Sequence, residues 1–293
     1  MSSTPPLIEW LGQAEGGTRA LGGKGASLDR LVRLGFRVPP GFCLTTAAFE
    51  RQLDALPATR ASLARLPDEE ARAELGVLLT ESPLDVDVAA ALDRALGEFG
   101  RAAGRGEADS FAVRSSGVGE DGSDASYAGL HETELGVAGG AVASAARRCW
   151  ASLWSRPALF YRSRRGLPLD GGAMAVVVQR LVPASAAAVV FTRHPVTGRD
   201  DQIVITAVRG LGDEMVAGTV TPDTIVIDRS TLAVVEESLG DRGGGPALDP
   251  ARVRELAELA LRVESGFGAA VDIEAAVGGG EWFLLQARPI TTR

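Results

Sequence analysis

Two carboxylates, an amide and a guanidinium recur at two-residue spacing in the run DIEAAVGGGEWFLLQARPI, from Asp272 to Ile290. Side chains alternate faces along a strand, so Asp272 shares a face with Glu274, and Gln286 with Arg288. The glycines Gly278, Gly279 and Gly280 supply the positive-φ positions that a tight connection needs. A turn centred on Gly280 sets Glu274 opposite Gln286 and Asp272 opposite Arg288. A carboxylate beside an amide oxygen offers the hard oxygen ligands that Mg2+ takes, and a neighbouring guanidinium suits phosphate oxygens. That outlines a nucleotide-polyphosphate site. An amphipathic hairpin with a solvated salt bridge would read the same way, so other segments have to decide.

Two of them carry suitable groups. Gly22-Gly23-Lys24-Gly25 precedes a helical pattern, where glycines let backbone N–H groups approach an anion and a helix N-terminus favours negative charge. It is not a Walker A loop, because Thr18 stands where the first Gly would be and Gly25 where Ser or Thr would follow the Lys. A glycine turn with one lysine can equally be structural. Arg114 ends a strand pattern and opens RSSGVGEDGSDASYAG, a run of hydroxyls, glycines and acids able to fold over a triphosphate, with the guanidinium neutralising charge that grows in phosphoryl transfer.

The elements that must position these groups follow from pattern and punctuation. Leu28, Leu31 and Val32 line one side of a short helix after the glycine turn, stopped by Gly35 and Pro39-Pro40. From Ala47 to about Arg105 the pattern is helical and cut by Pro57, Pro67 and Pro83. Strands are expected at 111–113, 132–137, 175–182, 187–192, 202–208 and 224–228, with a polar loop over 115–129 and a long helix over 142–164. Asp249-Pro250 reads as the N-cap and first turn of a helix reaching about Val263. This order of helices and antiparallel hairpins predicts an α+β fold, not a doubly wound parallel sheet.

Composition narrows the partners. With 293 residues, 45% hydrophobic and 23% charged, the chain can bury a substantial core as one domain or two lobes. A formal net charge of -8 argues against nucleic-acid or anionic-membrane binding, so any phosphate must be held locally. Cys43 and Cys149 have no metal-ligand spacing and are too few for a secreted disulfide framework. No signal-peptide pattern opens the chain, and the apolar stretch 173–191 is interrupted by Gln179 and Arg180, which predicts a cytoplasmic protein without a membrane span.

A resemblance then becomes specific. GGKGASL, PPGF with Thr45-Thr46, VRSS with Glu120-Asp121 and Asp124-Ala125-Ser126, the YAG of 127–129, VVVQRLV, VVFTRHPVTG, GLGDEMVAGTVTPD, DIE and QARPITT occur in order. Together they resemble the N-terminal ATP-binding domain shared by phosphoenolpyruvate synthase, pyruvate phosphate dikinase and rifampicin phosphotransferase, from about Leu21 to Thr292 and most weakly over 51–105. The resemblance implies an ATP-grasp-like fold whose two lobes, 1–190 and 191–293, close on Mg-ATP, and a reaction sending the β,γ-pyrophosphoryl group to a histidine. It further implies phosphate contacts at Lys24 and Arg114, a phosphate-covering loop at Gly129 and Thr133, an adenine-facing connection at Gln179, Leu181 and Val182, Mg2+ ligands at Glu274 and Gln286, and a distal-phosphate contact at Arg288. Asp272 is expected to orient Arg288.

Departures from the family pattern matter as well. Members carry a swivelling phosphohistidine domain and an acceptor domain, and this sequence stops at QARPITTR, where that continuation would begin. Its histidines, His131 and His194, lie in no phosphohistidine-type motif, and Gly122-Ser123 replaces an expected Leu-Pro. The expectation is therefore a phosphotransferase module acting on a histidine in a separate protein or a missing domain. Two alternatives stand beside it: a direct kinase or ligase of a small molecule, and a non-catalytic nucleotide-binding module.

Overall fold

Steric punctuation divides the chain much as the prolines and caps predict. The computed structural model describes residues 4–102, 110–119, 132–241 and 245–290. In chain order these hold β1 (Ile8–Trp10), α1 (Gly17–Arg33), β2 (Gly41–Leu44), α2 (Thr46–Asp54), α3 (Pro57–Ala64), α4 (Glu69–Glu81), α5 (Val86–Ala102), β3 (Ser110–Gly117) and β4 (Thr133–Ala138). There follow α6 (Val142–Ser152), α7 (Arg156–Arg164), β5 (Met174–Arg180), β6 (Ala186–Phe191), β7 (Gln202–Arg209), α8 (Asp213–Val216), β8 (Asp223–Asp228), β9 (Val234–Ser238), α9 (Pro250–Phe267), β10 (Val271–Gly278) and β11 (Glu281–Pro289). The chain is α+β, as expected. Among the described residues no helix is long and apolar enough to cross a membrane.

Contacts divide the chain into two compact units, residues 1–29 with 40–181, and 30–39 with 182–293. The boundary falls after Leu181 instead of after Val190, because β6 pairs with β10 and β7 in the second unit.

The first unit is built on an antiparallel sheet of order β1-β2-β5-β3-β4. Alternation gives it two unlike faces. Phe42, Leu44, Phe111, Val113, Val176 and Val178 point to one side and join Phe49, Leu75, Leu92 and Trp150 from the helices in the core. Register places Cys43, Val177, Arg114 and Thr133 in one row on the other side.

Onto that second face α1 is pressed by two glycines. A Cβ at Gly25 would crowd Cys43 Sγ, and one at Gly22 would overlap the carbonyl and hydroxyl oxygens of Ser116. Gly22 itself is non-helical, with φ 67° and ψ -177°, and kinks the helix between Leu21 and Gly23.

The second unit carries an antiparallel sheet of order β11-β10-β6-β7-β8-β9. α9 is capped by Asp249, which accepts from Arg252 N at 2.8 Å, begins with Pro250 and ends at Gly268 in the left-handed region. Its buried stripe of Val253, Leu256, Ala257, Ala260 and Val263 packs on the sheet. Asp223, in the VTPD motif, is half of a local clamp: its carboxylate accepts from Gly240 N at 2.7 Å and Ala247 N at 2.6 Å, fixing the connection before α9.

Several expectations are corrected. Ser115, Ser116 and Gly117 belong to β3 and not to a loop, since the strand keeps pairing with β5 as far as Gly117–Met174. The expected helix 142–164 is two, because Ser155 caps a new start with Pro157 behind it. Helix α1 starts at Gly17, ahead of the glycine run. The short strands β1 and β2 and the exposed edge strand β9 lack a clear alternation and escape sequence reading.

Gly22→Ala combines positive φ with backbone overlap and is expected to cost at least about 2 kcal/mol in urea unfolding. An unchanged midpoint would contradict the contact with Ser116.

Candidate functional site

The C-terminal hairpin turns on Gly279 and Gly280, both at positive φ, with Gly278 opposite Glu281. Continued without interruption, that register would put Glu274 opposite Leu285 and turn Gln286 and Arg288 to the wrong face. One extra residue prevents this. Ala275 pairs with Leu284, while Glu274 pairs with Gln286, so Leu285 is an inserted bulge residue. Asp272 consequently faces Arg288, as expected, although the turn is centred half a residue earlier than expected.

Direct opposition brings Cβ atoms to roughly 4.5–5.5 Å, within joint reach of one cation. Asp272 and Gln286 are buried, while Glu274 and Arg288 are half-buried. Arg288 donates from Nε at 2.8 Å and lies with Nη2 at 2.7 Å, both to Asp272 Oδ2. Burial pushes the Asp272 carboxyl up, Arg288 opposes that shift, and the neighbouring Glu274 charge adds to it. The expected orienting role for Asp272 thus has its geometry.

The donor set suits a hard cation that keeps water and phosphate oxygens as its remaining ligands, the usual manner of Mg2+. Among the described residues no group of three or more His, Cys, Asp or Glu side chains could hold a metal alone. Glu274 and Gln286 would therefore be partial ligands.

The first unit assembles its own group. Arg114 on β3 is directly opposite Thr133 on β4 and is flanked on its other side by Val177. Lys24 follows the α1 kink and is half-buried. Gly25 N donates to Ser116 Oγ at 3.0 Å, so one amide of the supposed phosphate cradle is already engaged.

Gln179 is buried in the row Ala112–Gln179–Gly41. The N–H groups of Arg180 and Leu181 donate to Pro40 O and Ser110 O, at 2.9 and 2.8 Å. Those two N–H groups, expected to face an adenine, are thus engaged by backbone carbonyls. Leu181 is half-buried, and Val182 is buried in the second unit. Gly129 and His131 lie outside the described residues. His194 sits in the β6–β7 turn, where Nδ1 accepts from Val196 N at 3.2 Å and Thr197 N at 3.3 Å. That is a loop-shaping role.

Sequence reasoning missed Ser116 and Leu285. A signal existed for the second: four consecutive apolar residues, Trp282 to Leu285, break the alternation of β11.

The comparisons converge on one family. Residues 18–244 match the model described as pyruvate phosphate dikinase, AMP/ATP-binding domain. A rifampicin phosphotransferase from a Streptomyces species is 37% identical over 94% of this chain and 35% of its own length. A probable phosphoenolpyruvate synthase from Methanocaldococcus jannaschii is 32% identical over 92% of this chain and 25% of its own. The prodigiosin synthesizing transferase PigC of Serratia marcescens is 34% identical over 93% of this chain and 32% of its own. The chain thus spans a quarter to about a third of these relatives. The hairpin lies beyond the matched span 18–244, so its reading rests on register and donor chemistry.

Arg288→Ala is expected to cost about 2 kcal/mol at pH 7, less than for a fully buried pair because Arg288 is partly exposed. Without its arginine, Asp272 takes up a proton more readily folded than unfolded, so the deficit is present above its folded pKa and shrinks as pH falls through it. Urea unfolding at pH 7 and pH 5 checks this, and a deficit that widens on acidification would be the wrong sign.

Proposed function

The chain belongs to the pyruvate phosphate dikinase AMP/ATP-binding domain family, and from that premise we propose that it binds Mg-ATP and passes the β,γ-pyrophosphoryl group to a histidine outside these 293 residues. The observation that carries the reading is the bulged register pairing Glu274 with Gln286 and Asp272 with Arg288. In this reading the two units play the parts of ATP-grasp lobes, with their boundary moved to Leu181.

Lys24, Arg114 and Arg288 supply positive charge to phosphate oxygens, with Gly129 and Thr133 in the covering loop and Gln179, Leu181 and Val182 beside the base. Glu274 and Gln286 hold the cation, and Asp272 fixes the Arg288 fork. Mg2+, held there by Glu274 and Gln286, would supply further neutralisation of phosphate charge. The bond from Pβ to the oxygen bridging it to Pα breaks, its electron pair leaves with AMP, and a Pβ–N bond forms on the imidazole. Such a transfer asks the protein for positioning and charge neutralisation more than for covalent chemistry.

Direct transfer of the γ-phosphoryl group to a small molecule would release ADP instead. The decisive experiment incubates the protein with Mg2+ and ATP labelled separately at the β and γ positions, with and without native-source lysate. Expected are AMP and both labels in acid-labile form on a second protein. ADP with only the γ label on a small molecule would overturn the reading. Lys24→Ala and Glu274→Gln are each expected to lower turnover roughly a hundredfold, equivalent to ~3 kcal/mol in the barrier. Near-full activity in either would remove that residue from its assigned role.

A further inference from the structure

The kink in α1 is bridged by a serine from another element. In an uninterrupted helix Gly25 N–H would donate to Leu21 O, four residues back. Here Ser116 Oγ stands between them. Gly25 N donates to Ser116 Oγ at 3.0 Å, and Ser116 Oγ donates to Leu21 O at 2.7 Å. One hydroxyl therefore satisfies the donor and the acceptor of this one interrupted pair, Gly25 N and Leu21 O, in the manner of a side chain inserted into a helical ladder.

Ser116 is fully buried, and it sits on β3 two residues from Arg114, on the same face of the sheet. Gly22 and Gly25 admit this approach because neither carries a Cβ. Lys24 lies between the kink and the amide that Ser116 binds. Its backbone position is therefore set by the strand that carries Arg114.

We propose that Ser116 is a positioning residue that holds the α1 kink open and so fixes Lys24 relative to Arg114 for polyphosphate binding. The inference rests on the nucleotide reading of Lys24 given above. Loss of the hydroxyl leaves two outcomes, both of which displace Lys24: Gly25 re-forms its bond to Leu21 and the helix straightens, or the two groups stay unpaired and the turn loosens.

A double-mutant cycle on nucleotide affinity tests it without requiring turnover. The dissociation constant for α,β-methylene-ATP with Mg2+ is measured by equilibrium dialysis for the parent, Ser116→Ala, Lys24→Ala and the double variant. Thr59→Val serves as a control, since Thr59 is a buried hydroxyl bonded to Leu53 O and Leu56 O within the helical layer. Expected are an approximately tenfold weakening from Ser116→Ala in the parent and less than twofold in the Lys24→Ala background, with faster exchange of the Gly25 amide and no affinity change in Thr59→Val. If Ser116→Ala does not fold, Ser116→Cys, which keeps a weak donor and acceptor, takes its place in the cycle. Equal weakening in both backgrounds, or none in either while Lys24→Ala weakens binding, would overturn the positioning role and leave the nucleotide reading standing. No weakening from Lys24→Ala would overturn the nucleotide reading, and the positioning role with it.

Discussion

The whole candidate site of the second unit depends on one inserted residue. A strand has a side-chain period of two, so a hairpin closed by Gly279-Gly280 fixes which residues of β11 can face Glu274. Without Leu285 in the bulge, Ala287 would stand opposite Asp272, and the amide and guanidinium would point into the packed face. Ala287 and Ile273, directly opposite each other, are both fully buried, which shows how little room that face has for an arginine. The bulge resolves a conflict between a turn that prefers two glycines and a site that needs the next register.

The first unit solves its positioning problem by close approach instead of register. Two glycines remove the side chains that would hold α1 away from the sheet, and Ser116 fills the hydrogen-bonding gap that the resulting kink opens. Glycine at Gly22 therefore has a double cause, a positive φ and a neighbouring carbonyl. A phosphate cradle made only of free amides is the wrong description of GGKG, because Gly25 is committed to the serine.

Legibility in the sequence tracked how local each determinant was. Asp249-Pro250 marked the start of α9 through its own backbone preferences, although the helix runs to Phe267 and not to about Val263; apolar runs disclosed β5 to β8, and alternation the hairpin. The pairing of Glu274 with Gln286 was also accessible, although the assumed turn centre and the bulge were compensating half-residue differences. Ser116 was hidden because its partner lies 95 residues away, and nothing in VRSS announces a contact with Leu21. Likewise, β1 has three residues and β9 is exposed along its length, so neither carries the hydrophobic contrast on which periodicity depends. The limit of the compact units was hidden for a related reason: β6 belongs with β10 by pairing across 80 or so residues of intervening chain, which no composition shift marks.

Charge balance on the hairpin face points in the same direction as its shape. Asp272 and Glu274 stand two residues apart on one side, with Arg288 as the cation paired to the first. The like charge of Glu274 and the burial of Asp272 both disfavour ionisation of Asp272, and Arg288 only opposes them. At Gln286 an amide stands opposite Glu274, contributing an oxygen and no charge. A pair chosen for stability alone would do better as packed apolar residues. A carboxylate directly opposite an uncharged oxygen donor suits a divalent cation that keeps water and phosphate oxygens as its other ligands.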